Sequence, residues 1–71
     1  MKYEFILKEK ITPYSSWEKI GCIKQSEQYF DSQVAYYESV IQKRKKLNPG
    51  SDYILLINKL DDDGEFLEVV Q

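Results

Sequence analysis

Histidine is absent from this 71-residue sequence, cysteine occurs once, proline twice and glycine three times. Without histidine the chain lacks the side chain that ordinarily exchanges protons near neutral pH, so the usual general base is missing. The lone Cys22 excludes an internal disulfide and has no imidazole to activate it. With Ile20 and Ile23 beside it in sequence, Cys22 is expected to be a buried, inert thiol. No apolar run approaches the roughly 18 residues of a membrane span. The first residues, MKYEFILKEK, lack the long apolar core and small-residue cleavage site of a signal peptide. A reducing, cytoplasmic compartment is therefore the expectation. There is also no repeat and no low-complexity linker. An excess of positive charge is missing too: the net charge is −2, which does not favour general attraction to polyanions.

What is present is globular in kind. Apolar residues make up 42% of the chain and charged residues 31%, a balance suited to a packed core and not to disorder. A chain of this length forms one domain at most, and buries only about 60% of its unfolded surface. Six of the ten aromatics are tyrosines, which suit half-buried surfaces because the ring is apolar and the tip polar.

Secondary structure is signalled by period. KYEFILK sets Tyr3, Phe5 and Leu7 against Lys2, Glu4 and Lys8, a strand pattern with Ile6 as the one apolar residue on the polar side. KEKITPYSS is a connection, since Pro13 has no amide proton and serines compete for backbone bonds. SWEKIGCIK is read as a strand. Its alternative is a short helix over residues 15–23, with Ser15 and Glu18 as a capping box and Trp17, Ile20 and Ile23 three apart. Gly21 would cost that helix about 1 kcal/mol.

The segment from Ser26 to Asn48 is the long helix. At about 100° per residue, Phe30, Val34, Tyr37 and Ile41 fall in a narrow sector, flanked by Tyr29, Tyr36, Val40 and Leu47. Ser26 is the expected cap, with Asp31 competing if the helix starts later. Asn48-Pro49-Gly50 ends it. DYILLINKL then forms a strand, and DDDG followed by EFLEVV completes a hairpin in which Gly64 takes positive φ. The expected fold is α+β, ordered β-β-α-β-β, with a four-stranded, mainly antiparallel sheet and one long helix on one face. The alternative order is β-α-α-β-β.

Candidate chemistry is sparse. The run Lys43, Arg44, Lys45, Lys46 could contact nucleic acid, but cations in a last helical turn are also what the carbonyl end favours, by roughly 0.3–1 kcal/mol each. Arg44 lies under the apolar stripe, where its methylenes can cover core. LDDDGE resembles part of a calcium loop, yet aligning Gly64 places Lys59 and Val70 at the first and last ligand positions. Glu65 and Glu68 show no sign of a pocket. No catalytic step, metal or cofactor is expected. Trp17 is expected to anchor the sheet beneath the helix, or else to serve as a surface hot spot.

The informative excess is apolar β surface. In DYILLINKL, Tyr53, Leu55 and Ile57 face one way and Ile54, Leu56 and Leu60 the other, whereas a half-exposed antiparallel strand alternates apolar with polar. In the last strand Phe66 and Val70 are set against Leu67 and Val69. One helix covers one face only. Ile6, Ile54, Leu56, Leu67 and Val69 are then left for a protein interface, in a homodimer or against a larger partner that the chain inhibits or adapts. If residues 15–23 were helical, Trp17, Ile20 and Ile23 would be available to cover that face instead.

Overall fold

The computed structural model describes all 71 residues. Four strands, β1 (Lys2–Lys10), β2 (Glu18–Ser26), β3 (Asp52–Leu60) and β4 (Phe66–Val69), form one sheet in the order β2-β1-β3-β4. Every neighbouring pair is antiparallel. Between β2 and β3 the chain makes a 3-10 turn at Glu27–Tyr29 and then the helix α1 (Phe30–Leu47). Because β1 lies between them, β2 and β3 run parallel, and α1 is the crossover of a split β-α-β unit. The β-β-α-β-β order holds, and SWEKIGCIK contributes a strand and no second helix.

Alternation decides what meets the helix. Phe5 and Leu7 of β1 stand opposite Ile57 and Leu55 of β3, and these four close a core with Tyr37 of α1. Ile20, Ile23, Phe30, Val34, Val40 and Ile41 pack around it. Phe30 meets Tyr3 edge-on with ring centroids 4.8 Å apart, and lies 5.7 Å from Phe5. Phe5 and Ile57 are wholly inaccessible to solvent. With so few fully buried side chains, truncating either to alanine removes about 2–5 kcal/mol, a large share of a small domain's stability.

Gly21 lets Tyr37 approach. A Cβ at that position would lie 3.3 Å from Tyr37 Cε1, so the bare strand backbone forms the floor under the ring. Ile20, next to it, is the extra residue of a β-bulge against Leu7 and Lys8, which turns both Ile20 and Ile23 toward the helix.

The helix ends differ from expectation at one side. Ser26 precedes the 3-10 turn but makes no side-chain capping bond, and the residue flanking α1 itself is Tyr29, not Asp31. The first turn is instead tied by the Ser32 hydroxyl, which donates to the Tyr29 carbonyl at 3.1 Å. At the other end the Asn48 N–H donates to the Arg44 carbonyl at 2.8 Å, and the chain turns through Pro49 and Gly50 as the sequence requires. No helix is long and apolar enough to cross a membrane.

Candidate interaction surface

The face of the sheet opposite α1 has no second helix packed on it. Antiparallel register puts Cys22, Ile6 and Leu56 side by side across β2, β1 and β3. Ile54 extends this apolar row at the next position, opposite Lys8, and is 39% exposed. Ile6 and Leu56 are half-buried by their neighbours. On the other side, Glu4 and Asn58 continue toward Val69 of β4, with the Asn58 amide donating to the Glu4 carboxylate at 3.2 Å.

Four of the five residues expected at the interface, Ile6, Ile54, Leu56 and Val69, therefore share this face. The fifth, Leu67, is exposed but has no cross-strand partner. A bulge in β4 pairs Lys59 with Glu68 and Leu60 with Phe66, which leaves Leu67 unpaired between them. That extra residue reverses the alternation, so Phe66 joins Val69 on the open face instead of opposing it. Leu60, expected there too, does stand on this face by register, between Lys2 and Phe66, and is buried at the end of the row.

Two further expectations are corrected. Cys22 is exposed, because in a strand it points away from the neighbouring core residue Ile23 and so away from the helix. Trp17 does not lie beneath the helix. It sits just before β2, 42% exposed, with the Lys10 ammonium 5.8 Å from its ring centroid.

Lysine is the residue that single-strand reading left unassembled. Lys2, Lys8 and Lys10 occupy the open side of β1, while Lys19 and Lys24 occupy that of β2. Glu4 and Asp52 are the carboxylates on the same face, giving a net +3 there in a chain of net −2. None of the five lysines forms an ion pair, since the ion pairs of the chain involve the N-terminal amine, Arg44, Lys45 and Lys59. Lys8 stands directly opposite Lys19. Like charges in direct cross-strand register destabilise a sheet, and the next position likewise sets Glu9 opposite Glu18. The signal was present in the period-2 pattern of the first strand, which already put Lys2 and Lys8 beside Ile6.

The basic run at the helix end is partly committed within the chain. Arg44 reaches Glu9 at 3.7 Å and Lys45 reaches Asp52 at 3.7 Å. Lys43 and Lys46 make no ion pair. Glu9 also accepts a 2.7 Å hydrogen bond from the Tyr53 hydroxyl. That bond, more than burial and the Glu9 charge, raises the Tyr53 pKa, against weaker opposing bonds to Ser51 and Asn48. The cluster fastens the helix C-terminus to β1 and β3.

The acidic turn is organised by Asp61. One oxygen of its carboxylate accepts from the backbone N–H groups of both Asp63 and Glu65, each at 2.9 Å. Gly64 adopts φ of +86°, as the hairpin requires. A shallow, open depression of about 470 Å³ lies nearby between Met1, Lys2, Ser26, Glu27, Gln28 and Asp62, and only one of these residues is apolar. It is a wet surface hollow, unlike the mostly apolar cleft that holds a small molecule. No family model, curated protein or solved structure matches the chain.

Proposed function

We propose that this chain is a non-catalytic protein-interaction module that works by laying its open sheet face against another molecule. The observation that carries the reading is the continuous row Cys22–Ile6–Leu56, extended by Ile54, on the face turned away from the one helix of the chain. Apolar residues in contiguous rows on a sheet lose water only when something packs on them, and such patches mark interfaces more often than scattered surface leucines do. Action would then be steric. The face occupies a partner, as an inhibitor or adaptor would, with Ile6 and Leu56 at its desolvated centre and charged residues around it giving orientation.

Contact with nucleic acid through Lys43, Arg44, Lys45 and Lys46 is the weaker reading. Arg44 and Lys45 already answer carboxylates of the same chain, which leaves two unpaired cations there.

Cys22 provides the test, because it is the sole thiol, exposed, and on the edge strand β2 beside Ile6 of the apolar row. A photo-reactive benzophenone placed on Cys22 is expected to give one discrete protein adduct in extract of the native cell. A Cys22→Ser, Ser39→Cys chain, carrying the probe on the back of the helix, is expected to give none. Leu56→Asp should remove the Cys22 adduct while circular dichroism stays unchanged. Identical adducts from both probe positions, or none from either, would remove the reading.

A further inference from the structure

We infer that the molecule fitting this face is an acidic amphipathic helix of another protein, and not a second copy of this chain. The inference rests on the interaction reading above and adds the chemistry of the partner.

Charge argues first. The open face carries Lys2, Lys8, Lys10, Lys19 and Lys24 against Glu4 and Asp52, and the Asp52 carboxylate is already met by Lys45 from the helix side. Lys8 and Lys19 oppose each other across β1 and β2 with no acid answering either. A carboxylate arriving between them would relieve that repulsion on binding, so the gain is specific to an anionic partner. In a face-to-face pair of identical sheets, the layers would sit about 10 Å apart. Two faces of net +3 would then meet at close to the screening length of about 8 Å in physiological salt, and repel.

Shape argues second. The centre of the face is aliphatic: Ile6, Leu56 and Ile54, with Cys22 beside them. Bases of a single strand stack on aromatic platforms, and here the aromatics, Trp17 and Phe66, stand at opposite ends of the face. A leucine-type ridge fits an aliphatic lane better than a base does. The same strands already take one helix on their other face, where Phe30, Val34 and Ile41 lie on Phe5, Leu7, Leu55 and Ile57. An incoming helix would complete a three-layer arrangement of the same kind. Its acidic flanks would reach Lys8, Lys10 and Lys19 at one end of the lane and Lys2 and Lys24 at the other. Trp17, held by Lys10, borders the first group. The outer edge of β2 is a poorer site, because the bulge at Ile20 and the flanking lysines interrupt regular strand addition.

The probes are a synthetic helical peptide of glutamate and leucine, its lysine and leucine counterpart, and oligothymidylate. Each is titrated into the full chain and followed by Trp17 fluorescence and calorimetry, at peptide concentrations up to about millimolar. The acidic peptide is expected to bind, the basic one not, and the affinity to fall as salt rises. Lys10→Glu with Lys19→Glu should weaken it about tenfold. Lys19→Glu alone should not lower the Tm, since it replaces a like-charge pair by an opposite one. Leu56→Asp should abolish binding in a chain that still unfolds cooperatively.

Equal binding of both peptides would overturn the acidic partner while leaving an interaction face in place. Light scattering that gives a dimer lost on Leu56→Asp would do the same in favour of a second copy. Oligothymidylate binding in preference to the acidic peptide would replace the partner by nucleic acid. Binding of no probe would also overturn the inference, and the Cys22 cross-link would then decide separately whether the face is used at all. Acidic-peptide binding indifferent to Leu56→Asp would place the contact elsewhere and overturn the inference, while the Cys22 cross-link still decides whether the face is used.

Discussion

Gly21 lies beneath the ring of Tyr37, with an added Cβ reaching to 3.3 Å from Cε1 and 3.4 Å from the hydroxyl oxygen. The two residues belong to an edge strand and to the middle of the helix, so this contact sets how closely α1 can settle on β2. It also explains a glycine where a strand would otherwise prefer a larger residue.

Substitution at Gly21 should therefore rank by size. Alanine gains about 0.5–1 kcal/mol in strand conformational entropy relative to glycine, which offsets part of a small displacement of the ring. Valine adds two methyl groups at the same place and should cost about 1–3 kcal/mol by overpacking. Urea unfolding of Gly21→Ala and Gly21→Val measures both. Equal stability of the valine variant and the wild type would mean that the ring moves freely.

Alkaline pH should weaken the fold through two tyrosines. Tyr37 ionises above the ordinary value of 10.0, chiefly because burial penalises the phenolate and secondarily because of Cys22 and Tyr36. Tyr53 is raised chiefly by its hydrogen bond to Glu9. A raised folded-state pKa means the folded chain holds its proton more tightly than the unfolded one. The associated stability is complete below pH 10.0 and is lost as pH climbs through the folded values. Tyrosinate absorbance and circular dichroism followed together above that pH should show Tyr37→Phe and Tyr53→Phe each deleting part of the late titration. In a double-mutant cycle Tyr53→Phe and Glu9→Gln should be less than additive, since they break one bond.

Asp61 should matter to the hairpin more than Asp62 or Asp63, because its carboxylate alone accepts from two turn amides. Asp61→Ala is expected to cost about 1–2 kcal/mol, and Asp61→Asn less, since one side-chain oxygen remains. The loss should appear first as faster hydrogen exchange at the Val70 amide, which bonds to the Ile57 carbonyl at 2.8 Å across the hairpin. Unchanged exchange there would show that Gly64 alone shapes the turn.

From the sequence alone came the elements, because their signals are local: the two-residue period of Lys2–Leu7, the helical stripe Phe30–Val34–Tyr37–Ile41, the stop at Pro49 and the turn at Gly64. The imbalance between apolar strand surface and a single helix was also legible, and with it Ile6, Ile54 and Leu56 as neighbours on one face. What only the tertiary structure decided was register. A single extra residue at Ile20 and another at Leu67 shift the alternation of the two outer strands, and no local pattern announces a bulge. Strand pairing is what set Lys8 against Lys19, turned Cys22 outward, and carried Trp17 to Lys10 instead of to the core. Which side chains share a face depends on hydrogen bonds between segments far apart in the chain. The five lysines therefore assemble into one basic surface only when the sheet does.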